Sequence, residues 1–453
     1  MNKNKTNDLL NGPIGPTLKR MTLPVVLSMI LLLSFGLVDT FFVGLLGTEQ
    51  LASISFTFPV TFTLISMNIG LGIGTSATVA RLLGAGQHDE ARLVGSGALN
   101  LAGILCGLIA LIGWIFLEPI FTAMGAEAVH MPYIKDYMNV WFIASVFLAI
   151  PMVGNSILRA NGDTTTPSII MAVGGFINAL LDPMLIFGWG PFPELGIQGA
   201  SVATMIAWFF STLYILYLLA VKRKLILPRL LKPAEFGEAS KGVLKIGIPA
   251  AGSNMITPMA NGVMTAIVAQ YGSAAVATWG VGNRLESLAN IIPLSLSMTL
   301  PPLISQNFGA ERIDRVKQAY MLTIKFVLLA QLAVFLLMWI TSPYIAAAFA
   351  QDAEVEKLII LFLAIVPIGY GLQGIVVLTN SSLNAMHRPM GALLLSIVRF
   401  FVIFVPVCYI GSVLFELPGI FWGSVVSYIV MGAISFYWFS RLLKGTMSVK
   451  ERA

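Results

Sequence analysis

The chain has 453 residues, of which 57% are hydrophobic and only 11% charged, with a mean hydropathy of +0.86. Soluble domains carry about 25% charged residues, so this chain lacks the charge to cover a water-facing surface. A soluble enzyme, a disordered chain and a nucleic-acid-binding domain are excluded, despite a net charge of +6 and a pI near 9.2. A bilayer-spanning helix needs about 20 mostly apolar residues, and the apolar stock suffices for roughly a dozen.

The first twenty residues are polar, with Lys3, Lys5, Lys19 and Arg20, and no small-residue cleavage site follows a short apolar run, so no cleaved signal peptide is expected. Cutting the chain at charged and turn-forming clusters predicts twelve spans at 21–46, 51–80, 94–117, 133–157, 165–188, 196–221, 242–270, 275–305, 316–340, 355–380, 390–413 and 419–441. Several exceed twenty residues, which implies tilt or kinks. Of the 27 Lys and Arg, only Lys135 and Lys357 fall at one set of edges, and Arg284, Lys325 and Arg399 fall within spans. The rest, from Lys3 to Lys450 and Arg452, gather on the other side, which predicts both termini in the cytoplasm. The two cysteines, Cys106 and Cys408, sit in apolar runs and read as buried packing.

The longest polar segment, 222–245, bisects the chain into an N-lobe, 1–221, and a C-lobe, 246–453. A shift of 225 residues matches Pro24 to Pro249, Ser28 to Ser253, Gly47 to Gly272, Gly84 to Gly309 and Asp89 to Asp314. Farther on, Leu158 and Ala160 fall on Leu383 and Ala385, and a three-residue gap brings Pro167 onto Pro389. Six spans per repeat is an even number, so both halves insert the same way. Such parallel repeats occur in transporters whose halves rock around a central site.

An ionisable group at bilayer depth costs about 2.5–3.5 kcal/mol on insertion scales. Asp39 in span 1, Asp182 in span 5 and Glu286 in span 8 are such groups. Asp39 and Asp182 lie six to eight residues from the ends of their spans, roughly 9–12 Å at 1.5 Å per residue, and so on one level. Asn178 is one turn before Asp182 on the same face. Tyr137 and Asn155 lie on span 4 and Thr204 on span 6. Two carboxylates among amide and hydroxyl oxygens either share a proton or wrap a small hard cation such as Na+, with Asp39, Asn178, Asp182 and Thr204 as ligands. No Lys or Arg lies deep in the N-half to neutralise them. Under the repeat, Asp39 falls on Met264, Asn178 on Phe400 and Asp182 on Phe404, so the acidic pair belongs to one half. Glu286 has two readings, an ion pair with Arg399 or a substrate contact. Pro24 reads as a helix-start proline, with a bend in span 1 as the alternative.

Two motifs are discounted. Gly70 to Thr75, G-L-G-I-G-T, lies in an apolar span and reads as small-residue helix packing. His88, His130 and His387 are scattered and form no metal motif.

The chain resembles the multidrug and toxic compound extrusion (MATE) family in its DinF-like branch. The likeness rests on Pro24 with L-V-D-T-F-F-V-G at 37–44, A-R-L-L-G-A-G at 80–86 and L-R-A-N-G-D at 158–163. Also typical are I-N-A-L-L-D-P at 177–183, G-I-Q-G-A-S-V-A-T at 196–204 and G-V-G-N-R at 280–284. The resemblance implies an all-α membrane protein of twelve helices, in two pseudo-symmetric six-helix lobes around a central cavity. It implies multidrug efflux of cationic or amphipathic compounds by antiport against inward H+ or Na+, in a bacterial or archaeal cytoplasmic membrane. Asp39 and Asp182 would then carry the ion, with Asn178, Tyr137 and Thr204 as network partners. Asn155 would line the drug cavity, and Pro24 would be the bending point of span 1. No further cofactor, nucleic acid or enzymatic role is implied, and a monomer in the lipid bilayer is expected. Other branches place acids on spans 7 and 10; this chain has none deep there. A lipid-linked precursor flippase would need basic residues at depth in the N-half, and an intramembrane enzyme a nucleophile–base or metal cluster; neither set is present in the sequence.

Overall fold

The structure, a computed structural model, describes residues 8–229, 231–350 and 352–450. Lys3, Lys5 and Arg452, counted above among the cytoplasmic charges, lie outside the described residues. In chain order the first long helices are α1 (Ile14–Gly44), α2 (Thr48–Gly84), α3 (His88–Ile115), α4 (Met131–Ala160), α5 (Thr165–Ile186) and α6 (Ile197–Tyr217). They are followed by α7 (Pro233–Ala269), α8 (Ser273–Ala289), α9 (Ile291–Gly309), α10 (Ile313–Phe349), α11 (Ala353–Ile365) and α12 (Tyr370–Ala385). The chain closes with α13 (Pro389–Ile397), a π-helical stretch Val398–Phe404 and α14 (Val405–Lys450).

Among the described residues, nine helical runs are long and apolar enough to cross a membrane, and α8 with α9, bent by 42° at Asn290, make a tenth. The run Pro389–Thr446 has 58 residues, far more than the ~20 one crossing needs. It reverses where Phe415 and Glu416 leave helical dihedrals, with Glu416 at φ 56°, and so holds two crossings. The remaining span is α7. Its 37 residues suit a crossing, but Ser253, Asn254, Thr257, Asn261 and Thr265 make it too polar to stand among the apolar runs. Twelve crossings result, in the order the sequence predicts.

The edges differ for a physical reason. Lys and Arg mark where the bilayer ends, whereas the hydrogen-bond ladder continues into water. Helix α1 therefore starts at Ile14 and α7 at Pro233, within the polar stretch 222–245. The earlier start corrects the reading of Pro24 as a helix-start residue: it lies inside α1. A proline there has no N–H for the carbonyl four residues earlier, that of Arg20, and weakens the ladder at that turn.

The chain forms two compact units, one built on Lys19–Ala251 and the other on Pro13–Leu18 with Gly252 onward; the division falls inside α7. The first has a core around Trp141, Phe142, Ile157 and Leu218, and the second around Phe362, Tyr370, Phe421 and Val425. Large apolar side chains such as Leu37, Phe41, Leu329 and Ile340 point outward, as lipid-facing positions require. Gly70 and Gly74 of α2 abut the α7 backbone at Gly247 and Val243, which is the close helix packing expected of G-L-G-I-G-T. Between 222 and 245, Arg229 grips the Glu235 carboxylate at 2.8 and 2.9 Å and the Lys232 N–H donates to it at 3.0 Å. This holds the Glu235 carboxyl at about 2, against an ordinary 4.5.

At the last reversal, Gly411 and Gly419 pack backbone against backbone, and a Cβ on Gly419 would land on the Gly411 carbonyl. We predict that Gly419→Val lowers thermal stability in detergent by an amount at or above the usual overpacking cost of about 1–3 kcal/mol. Gly107→Ala, where a Cβ meets open space, should change it little. Equal melting temperatures for wild type and Gly419→Val would contradict this packing.

Candidate functional site

In the first unit, four helices converge on one polar cluster. Asn178 and Asp182 share a face of α5, and Asn178 Nδ2 donates to Asp182 Oδ1 at 3.3 Å and to Thr204 Oγ1 of α6 at 3.2 Å. The Thr204 hydroxyl donates to the Ala200 carbonyl at 3.0 Å, which orients its lone pairs toward Asn178. Asp39 of α1 lies within hydrogen-bonding reach of Asp182. Two carboxyl groups can share a hydrogen bond only when one carries a proton, its O–H donating to the other. Tyr137 of α4 is close enough for both acids to act on it electrostatically.

The cluster is largely buried and short of partners. Asp182 is fully buried and Asp39 partly so. Asp39 Oδ1 and Asp182 Oδ2 are buried oxygens without a hydrogen-bond partner among the described residues. No Lys or Arg pairs with either acid among those residues. Beyond the acids, Val43, Ile186 and Ala200 form a small apolar cap with Phe42, Leu46, Ile54 and Phe187, and Tyr137 packs against it. Pro183, directly after Asp182, adds an interior proline to α5 and leaves the Ala179 carbonyl without its helical donor.

The structure thus brings together Asp39, Tyr137, Asn178, Asp182 and Thr204. It leaves Asn155 and Pro24 elsewhere: Asn155 is eighteen residues beyond Tyr137 on α4, about 27 Å along the helix, and Pro24 is about 22 Å from Asp39 on α1. Asn155 is buried, and its amide oxygen has no partner among the described residues.

The second unit holds a different constellation. A cavity of about 50 Å³ is lined by Thr257, Asn261, Trp279, Glu286, Phe362, Gln373, Arg399, Phe404 and Tyr428, among others. Glu286 Oε1 accepts from Gln373 Nε2 at 2.8 Å. Arg399 makes no ion pair with Glu286; its guanidinium lies over the Phe400 ring, 4.6 Å from the centroid. Of the two readings of Glu286, the structural pair with Arg399 is therefore not formed. Gln373, Trp279 and Tyr428 are residues that sequence reasoning did not reach. The polar side chains of α7 were the signal that something other than lipid lay against that helix.

The model of the family described as MatE matches residues 24–184 and 249–410, beginning at the two prolines that the internal repeat aligns. The chain belongs to the MatE family of transporters. A Shewanella oneidensis protein named an FAD transporter is 39% identical over 440 residues, covering 96% of each chain. The multidrug export protein MepA of Staphylococcus aureus is 26% identical, covering 92% of this chain and 91% of its own. Among solved structures, the Vibrio cholerae MATE transporter VcmN in its bent form superposes with a TM-score of 0.91 at 31% identity, covering 98% of this chain and 99% of that one. This MatE chain is accordingly a multi-pass membrane transporter with the twelve-helix fold of those proteins, not an enzyme.

The unpartnered acid oxygens make a prediction about stability. Asp182→Asn keeps a polar group that can pair with both Asp39 and Asn178, so the melting temperature of the MatE protein in detergent should hold or rise. Asp182→Ala strands both neighbours and should cost about 1–3 kcal/mol, the usual penalty for an unsatisfied buried polar group. An equal loss in both variants would contradict the pairing described here.

Proposed function

We propose that this MatE chain exports planar aromatic compounds by antiport, and that Asp39 and Asp182 are the groups that carry the inward cation. The observation that carries the reading is the pairing itself: a buried and a half-buried carboxyl group from different helices, within hydrogen-bonding reach, with no basic partner among the described residues. Such a pair holds together with a bound proton and repels without one. Because Asp39 and Asp182 sit on α1 and α5, gain and loss of the proton acts directly on the packing of those two helices.

In the cycle we propose, the proton enters from outside and bridges the pair, with Asn178 holding Asp182 and Thr204 holding Asn178. Helix α1, weakened at Pro24, shifts to close the carboxyl pair, and this movement expels cargo. Loss of the proton to the cytoplasm reopens the acid pair, and Asn155, about 27 Å along α4 from Tyr137, is a separate polar group offered to the next cargo molecule. Tyr137 and its apolar cap keep water from shorting the proton path. Direct carboxyl–carboxyl contact supports H+ over Na+ as the exchanged ion, since Na+ would stand between the two groups with oxygens all around it. The names of the relatives, one for drugs and one for a flavin dinucleotide, support aromatic cargo. The one-sided distribution of Lys and Arg supports a cytoplasmic membrane location with both termini inside.

The test is ethidium transport in inverted vesicles with pH and Na+ gradients imposed separately. Wild-type protein should move ethidium under the pH gradient alone. Asp39→Asn should reduce transport to that of vesicles lacking the protein while its detergent melting profile is retained. Ethidium movement by Asp39→Asn at the wild-type rate would end the proposal.

A further inference from the structure

The pocket in the second unit takes no part in the ion cycle, yet it is built with charged and aromatic groups that a mere packing core does not need. Arg399 is 9% exposed and belongs to the π-helical stretch Val398–Phe404, which also buries Phe400 and Phe404. Single π turns inside α-helices are frequent at functional sites, because they re-aim side chains that a regular helix would point elsewhere. The Arg399 guanidinium lies against the Phe400 ring and feels Glu286 and Tyr428 electrostatically, yet among the described residues it makes no hydrogen bond and no ion pair. A guanidinium has five N–H donors and no means of losing its charge. Leaving them without acceptors in a nearly buried place is costly.

Glu286 is in the same pocket, and contact between the two would be the simple remedy. Instead Gln373 holds the Glu286 carboxylate, and Glu286 and Arg399 line one cavity, attracting each other through it without forming an ion pair. That arrangement leaves Arg399 open to an acceptor from outside the chain. The internal repeat adds an independent observation. Phe400 and Phe404 fall on Asn178 and Asp182, so the pocket occupies the same place in the second half that the ion site occupies in the first. Duplicated scaffold positions carry acids in one half and, in the other, rings beside an arginine. The rings of Phe404 and Tyr428 are stacked, 5.8 Å apart at 15°, and present a flat apolar wall beside the cavity. At about 50 Å³ the space is well short of the ~150 Å³ that admits a benzene. It suits one phosphate or carboxylate group rather than a whole cargo molecule.

We propose that this pocket takes the anionic group of an aromatic cargo, with Arg399 reading the charge and the Phe404–Tyr428 wall receiving the adjoining ring. The assignment deepens the proposed function and rests on the chain exporting aromatic compounds. It makes Arg399 a specificity determinant: it sets which aromatic compounds are held, while the acids of the other half set what drives them.

Flavin mononucleotide and riboflavin are suitable probes, since they share one ring system and differ by a phosphate. Binding to the purified full chain is read from quenching of flavin fluorescence. Wild type should bind flavin mononucleotide about tenfold or more tightly than riboflavin, the size expected of a charge-assisted contact. Arg399→Gln should bring the mononucleotide down to the riboflavin level and leave riboflavin unchanged. Arg399→Lys should keep part of the preference, because it retains the charge without the planar fork. A mononucleotide-to-riboflavin ratio in Arg399→Gln equal to that of wild type would overturn the proposal. If Arg399→Gln does not fold, the thermal shift of wild type decides: a larger upward shift with the mononucleotide supports the assignment, and equal shifts overturn it. Ethidium efflux under a pH step separates this inference from the reading beneath it. Continued efflux by Arg399→Gln with an unchanged flavin ratio removes only the anion subsite, whereas absence of pH-driven efflux in wild type removes the antiport reading.

Discussion

Two carboxyl groups that touch in an apolar medium cannot both be charged. Everything distinctive about the first unit follows from that constraint. Burial limits screening by water, fully at Asp182 and in part at Asp39; no arginine or lysine neutralises the pair among the described residues, and the side chains around it offer hydrogen bonds to only part of each group. In the proposed cycle it is satisfied by a cation that comes and goes. A soluble protein would relieve the same conflict with solvent; a membrane protein keeps it and puts it to use.

The surrounding architecture is arranged so that this local conflict has mechanical reach. Asp182 is anchored through Asn178 to Thr204, so α5 and α6 act as one body around it. Asp39 stands on α1, whose outward face is largely lipid-exposed and whose ladder is interrupted at Pro24. One partner of the pair is therefore tied down and the other rides on a helix with little holding it. The second unit has no acid in the equivalent place. Its aromatic pocket, where Glu286 and Arg399 form no ion pair, is the proposed recognition site rather than a coupling site. A duplicated scaffold has thus diverged in chemistry while its twelve crossings kept their order.

Much of this was legible in the residues before any coordinates. Twelve crossings follow from apolar runs cut by charge, and Asp39 and Asp182 stand out because each interrupts such a run at a similar depth. Asn178 follows from helical spacing, since four residues is one turn. Thr204 and Tyr137 were candidates as polar groups on spans 6 and 4, but their role as network partners came from the family resemblance, because which helices become neighbours is a tertiary fact that no spacing encodes. The helix ends were misjudged where charge was taken for a terminus, and the position of Pro24 within α1 is the consequence that matters. The bend between α8 and α9 was not predicted, although Pro293 offers no N–H to the Ala289 carbonyl, which accepts from Gln331 instead. The second pocket was hidden for another reason: Gln373, Trp279 and Tyr428 come from three separate spans, and only packing shows that Gln373 takes the Glu286 carboxylate, for which an Arg399 pair was one of two readings.

The central claim is that the acid pair gives up its proton when cargo is taken. Proton release on ligand binding tests it most directly: ethidium is added to the purified protein in weakly buffered detergent, and an indicator dye records the pH change. The account predicts that wild type acidifies the solution in proportion to ethidium bound, and that Asp39→Asn removes the acidification. Ethidium binding by wild type without proton release, or release that persists undiminished in the Asp39→Asn variant, would contradict it.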